Sequence, residues 1–298
     1  MTRFILDSGD PEEFKEISLL AKEKGSELWG GTTNPSLIAK KLEGQKVSAN
    51  EAILKQKEII LELASIVPGA VSAEVFADMT TTGEQMAEQG REIATWHERV
   101  VVKLPTTIEG FKARTLLRRE GIPTNNTLVF SQEQIFAICL HEEILQRENQ
   151  IESKYPPFIS PFVGRLDDLH FDGMDLVENG MTIKKMFNVE MWMLEASVRL
   201  IEDFKRGIEL HSELITAPAK TYKEWFGLTQ NERDAIHPQD HEETLNSIPT
   251  WETPLALLTT QSIEEFMQLL ESGTLNINHP LTDKGILRFN ADWAAILA

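Results

Sequence analysis

Short apolar runs alternate with amphipathic stretches eight times over roughly the first 220 residues, and this alternation limits the folds available to the chain. The longer stretches have the apolar period of helices, and the short runs are typical of buried strands. Strands separated by helices pair in parallel, so eight units predict an α/β protein, a single (β/α)8 TIM barrel. A doubly wound sheet has the same alternation and is the alternative. The predicted strands are 4–7, 28–35, 71–77, 99–105, 123–130, 157–165, 189–199 and 213–218.

The last part of the chain, 222–298, lacks this alternation of strand and helix patterns. It predicts two helices, at 262–272 and 283–297, and no further strand. Its few apolar residues favour a helical extension that packs on the barrel over an independent domain. We therefore predict a barrel domain at 1–221 and a C-terminal helical extension at 222–298.

Charge and composition argue against several classes of partner. The 298 residues include 47 acidic and 29 basic side chains, a formal net charge of −18, which argues against nucleic acid or an anionic membrane as the partner. An anionic ligand would need a local basic pocket. The single cysteine, Cys139, lies in the apolar stretch IFAICL and is typical of a core residue. No apolar run reaches the length of a membrane span and no signal peptide is evident, so we expect a cytoplasmic protein.

A lysine ends the fourth predicted strand, RVVVKLP (99–105). The three valines before it, Val100 to Val102, are typical of a strand that is covered on both faces. Lys103 is therefore placed at the edge of an apolar core, where burial favours the neutral amine. A neutral amine can form a Schiff base with a carbonyl group. On this stretch alone, a lysine that extends to solvent is the commoner explanation.

Each of the remaining predicted strands, except the last, has a polar side chain at or near its carboxyl end. Functional residues of such barrels lie at the carboxyl ends of the strands. Residues two apart share a face of a strand, so the pairs predict one inward-facing set. Each residue alone could be a turn or cap residue, but a set with two carboxyl groups and a lysine favours a site. The candidates are Asp7, Asn34, Glu74, Asn125 with Thr127, Ser160 with Phe162, and Ser197 with Arg199.

This set of residues predicts a chemistry. Asp7 and Glu74 can transfer protons beside Lys103, whose desolvated amine can attack a carbonyl carbon. Arg165 and Arg199, near the rim, can bind a phosphate group. The combination is typical of a Schiff-base aldolase that acts on sugar phosphates.

No metal or cofactor is predicted. His237 and His241 are four residues apart, but Pro238 lies between them and no zinc-binding helix pattern is present. The sequence also has no glycine-rich nucleotide-binding motif. The expected ligands are small sugar phosphates.

Several stretches resemble the transaldolase family. They are GGTTNPSLIAK (30–40), VVVKLP (100–105), TNNTLVFS (124–131), ISPFVGRLDD (159–168), EASVR (195–199) and GILRFNADW (285–293), so the resemblance covers nearly the whole chain. It implies that a dihydroxyacetone unit is moved from sedoheptulose 7-phosphate or fructose 6-phosphate to glyceraldehyde 3-phosphate or erythrose 4-phosphate. Such a reaction belongs to the pentose phosphate pathway and needs no cofactor.

The resemblance also implies a role for each site residue. Lys103 would form the Schiff base, and Asp7 would take the hydroxyl proton as the carbon–carbon bond breaks. Glu74, with a water held by Thr127, would transfer protons during dehydration. The residues implied to hold the dihydroxyacetone unit are Asn34, Asn125 and Ser160. Those implied to bind the phosphate are Arg165, Ser197 and Arg199.

Two departures from the family pattern and two alternative functions are left open. Asn126 is at a usually apolar position that should face the helices, and residues 222–284 match the family poorly, so a homo-oligomer contact there is undecided. One alternative is a fructose-6-phosphate aldolase, which releases dihydroxyacetone and would have glutamine and tyrosine in place of Glu74 and Phe162. The other is a non-catalytic barrel that binds sugar phosphates, but such a module has no need of Lys103 between two carboxyl groups.

Overall fold

The protein is described by a computed structural model that covers residues 2–237 and 245–298. Its eight strands pair in parallel in chain order and close into a barrel, with β1 bonded to both β2 and β8. The predicted barrel is therefore confirmed. The strands are β1 (Arg3–Asp7), β2 (Leu28–Thr32), β3 (Val71–Glu74), β4 (Val100–Pro105), β5 (Thr124–Val129), β6 (Phe158–Pro161), β7 (Trp192–Glu195) and β8 (Leu214–Ala217).

Helices surround the barrel, and side-chain caps fix where many of them begin. Ser48, Thr82 and Ser131 each accept a bond from a backbone amide in the first turn, while a glutamate or glutamine three residues later bonds back. The helices are α1 (Pro11–Glu23), α2 (Pro35–Lys41), α3 (Ala49–Ile66), α4 (Gly83–Ala94), α5 (Ile108–Arg119), α6 (Gln132–Asn149), α7 (Val163–Asp167), α8 (Gly173–Lys184), α9 (Ile201–Glu209), α10 (Ala219–Gly227), α11 (Gln230–Ala235), α12 (Ile263–Glu271) and α13 (Pro280–Ala294). A 3₁₀ turn occupies Leu255–Thr259.

The apolar core lies between the outer face of the barrel and these helices. Val101 and Val102 are fully buried, as predicted for a strand that is covered on both faces. No helix within 2–237 and 245–298 is long and apolar enough to cross a membrane.

Most strands are shorter than predicted, and the predictions at 157–165 and 189–199 extend furthest past the ends of the strands. The prediction at 157–165 merges β6 with α7, and the prediction at 189–199 runs four residues past the end of β7. The merging has a physical reason: α7 has only five residues, and no side chain caps its start at Phe162. Nothing in the sequence therefore marks the change from strand to helix.

The C-terminal segment packs on the barrel. Helix α12 contacts α5 and α6, and α13 contacts α2 and β5. Phe266, Phe289 and Trp293 are buried in these contacts. The helices α10 and α11 were not predicted, and the predicted boundary at residue 221 falls within α10, which follows β8 directly.

Candidate active site

A pocket opens at the carboxyl ends of the strands. Of the predicted site residues, those that line it are Asp7, Asn34, Lys103, Asn125, Ser160, Phe162, Arg165 and Ser197. They come from six different strands or the segments that follow them. The closed barrel thus brings together side chains that lie far apart in the sequence, at the end where barrel enzymes have their active sites.

Lys103 lines this pocket and forms a buried ion pair with Glu74, which does not itself line it. The Nζ atom of Lys103 lies 3.1 Å from Oε2 of Glu74 and donates to the carbonyl oxygen of Thr33, also at 3.1 Å. The side chains of both residues are 4% exposed. The contact follows from the sheet register, which pairs these two residues on β3 and β4. The predicted lysine therefore does not extend to solvent.

Both carboxyl groups beside Lys103 hold protons more tightly than usual. Burial raises the pKa of Glu74 to about 7, against the opposing effect of the Lys103 charge. Burial also raises the pKa of Asp7, opposed by Lys103 and by a 2.7 Å hydrogen bond from Thr32 Oγ1. A carboxyl group that titrates near neutral pH can both accept and return a proton.

Amide and hydroxyl groups line the wall beyond Lys103. Ser160 Oγ donates to Asn125 Oδ1 at 2.6 Å, and Asn125 Nδ2 donates to Ser72 Oγ at 3.1 Å. Asn34 caps α2, since its Oδ1 accepts from the backbone amide of Leu37 at 3.0 Å. These bonds hold two amide groups at the pocket wall in fixed orientations.

Thr127, on β5, is not among the residues that line the pocket. Its side chain is fully buried, and its Oγ1 has no hydrogen-bond partner within the described ranges. A buried hydroxyl group without a protein partner has unmet capacity for a hydrogen bond. This observation is compatible with the predicted role of Thr127, which stays a prediction.

The arginines at the rim are not placed as the strand pleat predicted. Arg165, on α7, lines the pocket, and so does Ser197. Arg199 does not line the pocket, and it forms two bonds to Asp168, at 2.5 and 3.0 Å. The prediction that Ser197 and Arg199 share an inward face is wrong. The chain has left β7 after Glu195, and Ser197 has a left-handed backbone conformation with φ of 59°.

A glycine in α7 accounts for the position of Arg199. A Cβ atom on Gly164 would lie 2.5 Å from the carbonyl oxygen of Ser197 and 2.9 Å from Nε of Arg199. The stem of Arg199 therefore lies directly against α7, and a larger residue at 164 would displace it.

Sequence reasoning missed several pocket residues. The last strand was expected to offer no polar group, but Thr216 of β8 lines the pocket and bonds to Thr32 at 2.7 Å. Ser36 and Arg288 also line it. Both lie in family-like stretches, Ser36 in GGTTNPSLIAK and Arg288 in GILRFNADW, so the family resemblance was the available signal for them.

Two other predictions concern residues outside the pocket. Asn126, which had no explanation, donates from Nδ2 to the carbonyl oxygen of Phe158 at 2.8 Å, just where the pairing of β5 with β6 becomes irregular. Cys139 is fully buried, which confirms it as a core residue.

The predicted absence of a metal site concerns His237 and His241. His237 is exposed, and His241 lies outside the described residues. Within 2–237 and 245–298, no group of three or more suitable side chains could hold a metal ion.

Comparisons with known proteins place this chain in a family. The family model for transaldolase/fructose-6-phosphate aldolase matches residues 4–298. A probable transaldolase of Thermoanaerobacter sp. (strain X514) is 30% identical over 291 residues, which cover 98% of this chain and 96% of the relative. One from Methanococcus maripaludis (strain C7) is 32% identical over 297 residues, 98% of each chain. One from Lachnoclostridium phytofermentans is 40% identical over 197 residues, 66% of this chain and 77% of the relative. The chain belongs to the transaldolase/fructose-6-phosphate aldolase family.

Proposed function

We propose that the protein is a transaldolase of the pentose phosphate pathway, acting in the cytoplasm. It would move a dihydroxyacetone unit from sedoheptulose 7-phosphate or fructose 6-phosphate to glyceraldehyde 3-phosphate or erythrose 4-phosphate. The observation that best supports this proposal is the buried contact between Lys103 and Glu74. An amine with a proton acceptor 3.1 Å away, at the base of an open pocket, is suited to attack a carbonyl carbon.

The first half of the reaction would form the Schiff base. Glu74 takes a proton from Lys103, the neutral amine adds to the C2 carbonyl carbon of the ketose, and a proton moves from the nitrogen to the carbonyl oxygen to give the C2 hydroxyl group. Glu74 then returns a proton to the C2 hydroxyl group, which leaves as water, and an iminium ion remains. A Glu74 pKa of about 7 suits both steps, since the group is half ionised at neutral pH. Thr127 would hold the water.

The second half would break a carbon–carbon bond. Asp7 takes the proton of the C4 hydroxyl group, the bond between C3 and C4 breaks, and its electron pair moves into the iminium ion to give an enamine. The aldose phosphate leaves. The enamine carbon then attacks the aldehyde carbon of the acceptor, Asp7 returns the proton, and water releases the new ketose from Lys103.

The remaining pocket residues would bind the sugar. Asn34, Asn125 and Ser160 would hold the hydroxyl groups of the dihydroxyacetone unit. Arg165 and Ser197 would bind the phosphate, and Arg199 would join them once it leaves Asp168. Phe162 lines the pocket with its ring centroid 5.9 Å from Lys103 Nζ, and it has no proton to donate to the enamine.

The test is to trap the Schiff base. Borohydride with fructose 6-phosphate should add one reduced three-carbon or six-carbon unit to the protein, measured as intact mass, and peptide mapping should place it on Lys103. Lys103→Ala should give no adduct. The control is Lys112→Ala, since Lys112 lies on α5 in a partly exposed ion pair with Glu109.

The same substrate separates transfer from release. With erythrose 4-phosphate present, the wild-type protein should form sedoheptulose 7-phosphate. Without an acceptor, it should release little free dihydroxyacetone. An adduct on Lys103→Ala would contradict the mechanism. Rapid release of dihydroxyacetone without an acceptor would instead identify an aldolase.

A further inference from the structure

Arg288 reaches the active-site pocket from outside the barrel. It lies on α13, in the C-terminal segment, yet it lines the same pocket as Lys103 and Arg165. No other arginine or lysine of α13 does so. Two guanidinium groups from separate helices therefore face one cavity in a protein whose net charge is −18.

The first half of α13 is fixed against the barrel. Thr282 Oγ1 donates to the carbonyl oxygen of Leu128 at 2.9 Å and accepts from Gln134 Nε2 at 3.0 Å. A Cβ atom on Gly285 would lie 2.5 Å from Cδ2 of Leu128, so the helix and β5 are in close contact. These contacts therefore fix the position of the helix axis one turn before Arg288.

The second half of α13 and the residues after it are fixed against α2 and the segment that follows α2. Ser36 Oγ donates to Asp292, and the backbone amide of Val47 donates to the carbonyl oxygen of Ile296 at 3.0 Å. Arg288 itself is exposed, and among the described residues its carboxylate contact is a loose 3.7 Å approach to Asp292. The backbone under Arg288 is thus held on both sides, while its guanidinium group remains available to a ligand.

Positive charge is in excess around Arg165. Within the described residues Arg165 makes no salt bridge, and its pKa is lowered by burial and then by the positive charges of Arg288 and Arg199. Arg199 is already bonded to Asp168. A dianion placed between Arg165 and Arg288 would relieve this repulsion, because guanidinium groups bind phosphate oxygens in a fork geometry.

We propose that Arg288 binds the phosphate group of the sugar together with Arg165, so that α13 sets the preference for phosphorylated substrates. The proposal rests on the proposed transaldolase function, which supplies the sugar phosphate. It also gives the C-terminal extension a direct part in substrate recognition. Asp292 would orient the guanidinium group when the pocket is empty.

The test compares Arg288→Gln with Lys284→Gln. Lys284 lies one turn earlier on α13, is exposed and does not line the pocket, so the control removes the same charge from the same helix. Arg288→Gln should raise KM for fructose 6-phosphate about 10-fold. This effect is small for the loss of a charge-assisted contact, because solvent weakens such contacts at an exposed site. Borohydride trapping with unphosphorylated dihydroxyacetone should be unchanged in both variants.

A second measurement does not depend on turnover. Binding of inorganic phosphate, followed by calorimetry, should weaken about 10-fold in Arg288→Gln and stay at the wild-type value in Lys284→Gln. Equal phosphate affinity in the two variants would overturn the proposal. So would a loss of trapping with dihydroxyacetone in Arg288→Gln, since that would show a structural defect. If wild-type protein binds phosphate but forms no lysine adduct, the proposed function fails while the phosphate site stands.

Discussion

Glu74 should control the pH dependence of Schiff-base formation. Its carboxyl group is 4% exposed, lies 3.1 Å from the amine of Lys103 and has a pKa raised to about 7 by burial. Only the ionised form can take the proton from the amine. With a pKa of about 7, the ionised fraction is about 0.1 at pH 6, about 0.5 at pH 7 and about 0.9 at pH 8. Adduct formation should therefore rise about fivefold from pH 6 to pH 7 and less than about twofold from pH 7 to pH 8.

Glu74→Gln should remove this pH dependence. Glutamine keeps the size of the side chain but cannot accept the proton, so adduct formation should slow by ~10²–10⁴-fold, with no step near pH 7. The measurement is rapid-quench borohydride trapping with fructose 6-phosphate between pH 6 and pH 8, read as the fraction of protein with an added mass.

Asp7→Asn is the matched control, because Asp7 also has a raised pKa beside Lys103. This variant should still form the adduct but should slow the later bond cleavage. The negative charge of Asp7 contributes to the raised pKa of Glu74, so its removal should move the pH step slightly lower. If Glu74→Gln keeps the wild-type step, or if Asp7→Asn blocks adduct formation equally, the division of roles is wrong.

Three further predictions follow from the contacts. Lys103→Ala should fold, since the valines of β4 stay packed, and should lose turnover; loss of its circular dichroism signal would contradict this. Phe162→Tyr places a phenol donor in the pocket, so this variant should release free dihydroxyacetone from fructose 6-phosphate without an acceptor. If no dihydroxyacetone is released, the role of Phe162 is to pack against Phe130. Burial, then the charge of Asp203, raises the pKa of Glu195 well above 4.5. The folded protein therefore retains a proton that the unfolded chain loses above pH 4.5, and the contribution of Glu195 to wild-type stability falls as pH rises from there. The stability advantage of Glu195→Gln should grow by up to about 1.4 kcal/mol per pH unit towards neutrality, measured by denaturant unfolding. A constant difference would refute this.

The barrel and the position of its lysine could be predicted because they depend on local patterns. The valines of β4 mark a strand covered on both faces, and the register of a parallel sheet then places Lys103 beside Glu74. Helix starts such as Ser48 and Ser131 are visible as capping boxes in the sequence. The valine run and the capping boxes lie within a few residues of the features that they predict, whereas the contact of Lys103 with Glu74 depends on the pairing of two strands.

The rim could not be predicted, because its geometry depends on contacts between distant segments. Arg199 is turned away by Asp168 and by its contact with Gly164, and the left-handed conformation of Ser197 ends the strand pleat that was used to place it. Arg288 enters the pocket only because α13 docks on β5 and α2. No periodicity in the sequence encodes these relations, and the family resemblance alone contained a signal for them.

Hydrogen bonds and an ion pair between strands of the barrel hold the reactive groups of the pocket in place. Thr32 of β2 bonds to Asp7 of β1 and to Thr216 of β8, while Glu74 of β3 contacts Lys103 of β4. A closed barrel gives every strand two neighbours, so these groups have little freedom to lose when a substrate binds, which favours catalysis. The guanidinium groups of Arg165 and Arg288, which we propose bind the phosphate group, lie instead on helices α7 and α13, outside the barrel. Substitutions inside the barrel should therefore alter the chemistry, and substitutions on these two helices should alter which sugars bind.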